Sequence, residues 1–241
     1  MRASVNDHEP LRMLEITISG TQRTLEFAKR AGATRFLLTS SGAVYGAQPP
    51  ELYGIPESYP GHLNPMDPKN AYAIGKLASE HLCRHFASQK MACLIARCFA
   101  LVGPGLPLNQ HFAIGNFIGD ALARRKMIIK GDGTPYRSYL YPTDLMIQLL
   151  AILVRGASCD PYNVGHPEAV SIRQTAEAVG TLTDTAFEIL GVPEKGARAV
   201  RYVPNVEKVE RLIGDQRKRP LRSLNASIQS TLQWHRELQL S

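Results

Sequence analysis

Tyr72 and Lys76 stand four residues apart in the stretch Tyr-Ala-Ile-Gly-Lys. On a helix this spacing puts the phenol and the ammonium on one face, one turn apart. An ammonium beside a phenol favours the phenolate, and so lowers the tyrosine pKa toward a value useful for proton transfer. Pairs at this spacing are also common on helix surfaces, so the surroundings must decide. Upstream lies Thr39-Ser-Ser-Gly-Ala-Val-Tyr-Gly46, directly after the apolar run Arg35-Phe-Leu-Leu-Thr39. A hydroxyl at the carboxyl end of a strand sits where α/β sheets place their ligands. Ser41 could there hydrogen-bond the same substrate oxygen as Tyr72. The plainer alternative is a serine-rich turn capping a strand.

The elements that would carry these groups alternate through the first hundred residues, which predicts an α/β fold. Leu11, Leu14, Ile18, Leu25 and Ala28 give helical spacing over residues 10–31, ending at Gly32. Residues 35–39 read as a buried parallel strand, followed by a loop from Gly42 to Asn70. The helix bearing Tyr72 begins at Asp67-Pro68 or Asn70, either of which offers an N-cap. Its expected core stripe is Leu77, Ala78, Leu82, His85 and Phe86, and residues 91–97 form the next strand. Past Gly103-Pro-Gly105 the rhythm changes. A helix at 111–125, a short strand at 126–130, a turn at Gly131-Asp-Gly133 and a helix at 142–155 are expected. Tyr162-Asn-Val164 returns as a strand, Ser171 caps a helix to about Gly180, and Trp234 anchors a last helix over 224–236. Tyr136, Tyr139 and Tyr141 alternate with polar residues as a strand or pocket wall would.

Composition narrows the classes. The chain has 241 residues, 44% hydrophobic, enough to bury a large core. No apolar run approaches the roughly 18 residues of a membrane span, and the first ten residues lack a secretory pattern. Cys83, Cys93, Cys98 and Cys159 have neither paired nor metal-ligand spacing and read as reduced core thiols. These features together predict a cytoplasmic protein with no membrane partner. Net charge is +7, from 28 basic and 21 acidic residues. The one dense basic run, Arg217, Lys218, Arg219 and Arg222, has no interleaved aromatics and reads as solvated surface rather than a nucleic-acid site. His81 and His85 follow Glu80 rather than flanking it, which is not a zincin pattern, and no metal is expected.

The order of strand, Ser-Ser-x-x-Val-Tyr-Gly, proline-rich loop and Tyr-x-x-x-Lys resembles the extended short-chain dehydrogenases/reductases that act on nucleotide sugars, the NAD-dependent epimerase/dehydratase family. Arg97-Cys-Phe-Ala-Leu-Val-Gly-Pro104 is similar to that family's strand into the substrate lobe. Residues 131–144, from Gly-Asp-Gly-Thr-Pro-Tyr-Arg onward, are similar to its diphosphate-gripping segment, and Tyr162-Asn-Val-Gly165 to a late strand. The resemblance implies NAD as cofactor, a nucleotide-diphosphate sugar as substrate, and a homodimer through the helices near 10–30 and 68–89. It implies Tyr72 as general acid/base, Lys76 as its tuner and ribose ligand, and Ser41 as the group orienting the reacting oxygen. Ser40 and Phe99 would line the cofactor. Tyr45, Asn116, Arg137 and Arg201 would contact the substrate, with Arg137 on the diphosphate.

Three departures shape the expectation. No Gly-x-x-Gly-x-x-Gly precedes Tyr72, where the family opens a helix onto the NAD pyrophosphate. Gly20-Thr21 instead resembles the helix that the family carries well after that loop. The expectation is therefore an N-terminally truncated Rossmann-type parallel sheet with a smaller substrate-binding lobe, lacking about two strand–helix units. Residues 1–105 would form the remainder of the Rossmann domain and 106–241 mainly the lobe, with 140–165 returning to the first domain. An uncovered sheet edge and weakened NAD affinity follow from this reading. Gly42 and Ala43 stand where 4,6-dehydratases place an Asp-Glu pair, which favours 4-epimerisation through a 4-keto intermediate. Dehydration or decarboxylation within the same family remains open, as does an inactive fragment that binds nucleotide sugar or nothing. The third departure is Thr17, where relatives often carry asparagine.

Overall fold

Two runs with buried, β-branched and apolar centres build the sheet around which the molecule is organised. In the computed structural model, which describes residues 8–110, 112–194, 196 and 198–240, Arg35–Ser41 forms β1 and Ala92–Cys98 forms β2. They pair in parallel from Arg35↔Ala92 to Ser41↔Cys98. Pro161–Val164, β5, joins the other side of β2, also in parallel, giving the order β1-β2-β5.

Alternation along β2 divides the core. Cys93 and Ile95 pack with Leu25, Leu38 and Cys83 beneath helices α1, Pro10–Arg30, and α2, Ala71–Phe86. Leu94 and Ala96 face the opposite way, toward Ile152 of α4, Pro142–Arg155, and Val209 and Ile213 of α6, Glu207–Ile213. Helices therefore cover both faces, as a parallel sheet requires. The segment 206–213 also packs on the sheet, a return that the sequence reading gave only to residues 140–165.

The second core lies in the lobe. Helices α3, Ala113–Leu122, α5, Ile172–Thr183, and α7, Leu224–Leu240, close over β3, Met127–Ile129, and β7, Phe187–Ile189. A separate short sheet sets β4, Tyr136–Arg137, between β6, Val170–Ser171, and β8, Arg201–Tyr202. Ser171 does cap α5, accepting from Gln174 N while the Gln174 side chain returns a bond to Ser171 N. The helix expected at 111–125 is shorter than read, and its first residue, His111, lies outside the described residues. No described helix is long and apolar enough to cross a membrane.

Apolar spacing placed the faces of the first two helices in part: Leu25, Ala28, Leu82 and Phe86 pack in the core as expected, while other members of the stripes lie outside it. Leu11 is 67% exposed and His85 lies on the outside, while the α1–α2 contact is made by Thr17, Gly75 and Ser79. Leu77, also in the expected stripe, stands at the surface. Small residues let the two backbones approach closely, and hydroxyls complete the contact. Ser79 Oγ lies 2.9 Å from Thr21 Oγ1 and donates to Gly75 O at 2.8 Å. This close approach fixes the helix that bears Tyr72 and Lys76. A Cβ on Gly75 would already stand 3.0 Å from Thr17 Cβ, so a branched side chain has no room. Gly75→Leu is expected to lower the unfolding free energy by about 1–3 kcal/mol in urea titration, and an unchanged midpoint would contradict the close-packed contact.

Candidate active site

At the carboxyl end of β1 the chain turns sharply, and Ser41 stands at the turn. Its Oγ accepts the Ala43 amide at 3.1 Å, capping a 3-10 turn over Gly42–Tyr45 and leaving the hydroxyl proton to donate. Asp67 caps the turn that leads into α2, accepting from Lys69 N at 3.0 Å, so that Tyr72 falls in the first turn of that helix. The Tyr72 hydroxyl comes near enough to Ser41 for the serine to ease its ionisation. Lys76 Nζ donates to Thr39 O at 2.7 Å and lies 5.8 Å from the Tyr72 ring centroid. Ser41, Tyr72 and Lys76 are thus brought together as expected from their order.

The electrostatics differ from the expectation. Burial raises the Tyr72 pKa above the ordinary phenol value, with Ser41 opposing it. The ammonium of Lys76 is directed at a backbone carbonyl rather than at the phenolic oxygen. Burial also lowers the Lys76 pKa, against attraction from Cys98 and Glu80. Cys98, level with Ser41 on β2, is pushed up to about 11 by burial, while Lys76 draws it back.

Beneath this cluster lies an ion pair that the sequence reading passed over. Glu80, one turn beyond Lys76, is 9% exposed. Arg97 of β2 binds it through two bonds, Nε to Oε1 at 3.0 Å and Nη2 to Oε2 at 2.7 Å. Ser40 donates to the same carboxylate at 2.6 Å. Tyr72, Lys76 and Glu80 recur at every fourth position, which is the one sequence signal that pointed to Glu80. Burial disfavours the Arg97 charge, yet the Glu80 bonds more than offset this and raise its pKa.

Three further residues of the expected site are engaged with neighbours in the same network. Ser40 is turned inward to Glu80. Tyr45 is 1% exposed; its ring lies under the Arg97 guanidinium at 4.7 Å and its hydroxyl donates to Asn163 Oδ1 at 2.8 Å. Through these contacts it supports the loop after Ser41. Phe99 is buried against Gly42, where an added Cβ would stand 2.7 Å from its ring. Its contact is with the floor beneath Ser41.

Asn116 and Arg137 line one cleft of about 320 Å³ in the lobe, together with Lys130, Gly133 and the apolar Phe117 and Ile128. Lys130 adds a cation that sequence reasoning missed. Arg201 is elsewhere. The β4–β8 register pairs Tyr136 with Arg201 and Arg137 with Tyr202, and paired side chains share a face. Arg201 accordingly stacks on Tyr136 at 4.2 Å and near Tyr53 at 5.3 Å, over a different cavity, while Tyr202 falls on the Arg137 side. The basic run near the C-terminus is largely engaged within the chain. Arg217 binds Glu210 at 2.7 Å, Arg219 lies 3.2 Å from the buried Asp144, and Arg222 stacks on Tyr141.

Removing one partner of the buried pair should be far worse than removing both. Arg97→Met leaves the Glu80 carboxylate unpaired and is expected to cost about 3–5 kcal/mol, while Arg97→Met with Glu80→Leu recovers much of the loss. Denaturant unfolding of the single and double variants measures this. Equal losses would mean that the pair does not act as a unit.

The comparisons agree with this geometry. A model of the NAD dependent epimerase/dehydratase family matches residues 3–165. UDP-glucuronic acid decarboxylase 1 of Xenopus tropicalis is 32% identical over 231 residues, covering 95% of this chain and 53% of that protein. UDP-glucuronic acid decarboxylase 3 of Arabidopsis thaliana is 32% identical over 216 residues, covering 89% and 62%. The chain thus spans little more than half the length of these curated relatives. Among solved structures, a UDP-glucose 4-epimerase of Thermotoga maritima with UDP-glucose superposes with a TM-score of 0.82 at 22% identity, over 99% of this chain and 75% of that one. A dTDP-glucose 4,6-dehydratase of Bacillus anthracis in complex with NAD gives 0.76 at 21% identity, over 95% and 70%. These likenesses fix a Rossmann-type fold, and with the family model matched over two thirds of its residues, the chain belongs to the NAD-dependent epimerase/dehydratase family, whose members modify nucleotide sugars.

Proposed function

We propose that this chain oxidises a nucleotide-linked sugar at C4 and returns it as the 4-epimer. The observation that carries the reading is the meeting of Ser41 and Tyr72 at the carboxyl end of β1, with Lys76 one turn along the same helix as Tyr72. Ser41 keeps a hydroxyl proton with which to hold the C4 oxygen. Tyr72, once ionised, removes the proton from that oxygen and later restores it. Arg137 and Lys130 hold the diphosphate across the cleft, with Asn116 as a neutral partner. NAD, when bound, supplies the hydride acceptor and donor. Its nicotinamide ribose fits Lys76, whose ammonium has protons beyond the one given to Thr39 O. Four free thiols suit a reducing compartment such as the cytoplasm.

A second outcome is favoured by one observation, the 30–32% identity to UDP-glucuronic acid decarboxylases. If the sugar carries a C6 carboxylate, the C4 ketone makes it a β-keto acid. The C5–C6 bond then breaks with loss of CO₂, its electron pair passes into the C4 enolate, a proton is taken up at C5, and the hydride and proton removed at C4 are returned there. No further carboxylate is needed at Gly42 or Ala43. Mass analysis after incubation with NAD and either UDP-glucose or UDP-glucuronic acid separates the outcomes, since the epimer keeps its mass and the decarboxylated product is lighter by one CO₂. Protein that holds NAD yet alters neither sugar would overturn the proposal.

Because burial raises the Tyr72 pKa, the phenolate fraction is small at neutral pH and grows as pH increases. The rate of sugar oxidation is therefore expected to climb with pH, about tenfold per unit below that pKa, and Tyr72→Phe to lower it by about 10²–10⁴. A flat profile, or a Tyr72→Phe variant as fast as the parent, would exclude Tyr72 as the base.

A further inference from the structure

We infer that Cys93 and Cys159 form a reversible disulfide when the chain meets a hydroperoxide, making a redox site at the end of the sheet remote from the reacting groups. Nothing in the sugar chemistry proposed above uses these thiols, so the inference stands apart from that reading. Ser41 is level with Cys98 at the carboxyl end of β2, whereas Cys93 lies near the start of that strand. Three of the four free thiols gather there: Cys93 on β2, Cys83 on α2, and Cys159 in the turn before β5. β2 and β5 align Ile95 with Pro161, so Cys93 and Cys159 are the pair two residues back along the same register. Cys159 N donates to Cys93 O at 2.7 Å. With that bond and ordinary backbone lengths, the two Cα atoms stand no more than about 6.6 Å apart. A disulfide accepts Cα separations of roughly 4.4–6.8 Å, so the backbone already permits the bridge. Both side chains also turn to one face. Cys93 packs in the core beneath α1 and α2, and Cys159 Sγ lies 4.0 Å from Cys83 O of α2.

Access decides which sulfur reacts first. Cys83 and Cys93 are fully buried, while Cys159 is half-buried and meets the solvent. Its backbone lies in the left-handed region, at a φ of 59°, which a residue with a side chain seldom adopts. Ser158 Oγ accepts Cys93 N at 3.1 Å and so keeps its hydroxyl proton for the Cys159 sulfur, 3.7 Å away. The Cys159 thiolate attacks the peroxide, the O–O bond breaks, and water or an alcohol leaves, with a sulfenic acid remaining on the sulfur. Cys93 then attacks that sulfur. The S–S bond forms, the S–O bond breaks, and the hydroxyl departs as water with the proton that Cys93 gives up. The Cys83 thiol, beside Cys93, favours the Cys93 thiolate against the opposing effect of burial. Two thiols are thereby oxidised and one peroxide bond is reduced, and a dithiol reverses the change.

The test is treatment of the reduced whole chain with equimolar hydrogen peroxide, alkylation of the remaining thiols, and mass analysis of the intact protein and its peptides. The expected product has lost two hydrogens and two of its four free thiols, carries linked Cys93 and Cys159 peptides, and is restored by dithiothreitol. Cys159→Ser is expected to form no bridge. Cys93→Ala, whose sulfenic acid lacks its strand partner, is expected to take up dimedone at Cys159. Cys98 serves as the internal control and stays open to alkylation, since about 16 Å of strand separates it from Cys93. No bridge in the parent chain, a bridge that survives Cys159→Ser, or a bridge from Cys159 to Cys83 in place of Cys93 would overturn the inference.

Discussion

The carboxylate of Glu80, buried under the hydroxyl cluster, is the constraint on which the site depends. A buried charge without a partner is very unfavourable, so Glu80 has to be met, and Arg97 and Ser40 meet it from two adjacent strands. Three elements are joined at one point: α2 through Glu80, β2 through Arg97, and β1 through Ser40. The bidentate fork leaves little freedom of rotation. Lys76 and Tyr72 lie one and two turns, respectively, toward the start of the same helix, so their height above the strand ends is set by this contact. Tyr45 extends it, from the guanidinium of Arg97 to Asn163, whose amide binds Ile55 O and Asn205 O. From there the constraint passes to the loop and to β8.

The two cores are connected through this same region. The sheet core and the lobe core have separate apolar populations, and between them lie the short strands β4, β6 and β8. Two-residue strands contribute little pairing energy, and their value is positional. In β4 and β8 one register sends Arg137 and Tyr202 to one side and Tyr136 and Arg201 to the other. A slip of one residue would exchange them and dismantle the cleft. The ties from Gln48 and Ile55 hold that register from outside the lobe.

The legible parts of the sequence were those with a local signature. The 142–155 helix, the Ser171 cap, the strand before Ser41 and the Tyr72–Lys76 pair all declare themselves within a few residues. Less legible were features made by distant partners. Leu82 and Phe86 pack as the stripe predicted, but Leu77 and His85 do not, because α1 and α2 meet through Gly75 and Ser79, and small residues carry no hydrophobic signal. Glu80 entered the sequence reading only beside His81, and its partner Arg97 comes from β2. Arg201 and Tyr202 are adjacent in sequence, and only the strand register reveals which of them shares a face with Arg137. The lowered tyrosine pKa expected from Lys76 assumed that the ammonium points at the phenol, whereas a strand-end carbonyl receives it.

The whole account turns on whether the oxidant is held beside Lys76 and Tyr72. Equilibrium binding of NAD to the purified chain tests this most directly, with Lys76→Met as the comparison. The account predicts saturable uptake by the parent chain and affinity weaker by about tenfold or more in Lys76→Met, the loss of a charged hydrogen bond. No uptake by the parent, or equal uptake by both, would contradict it.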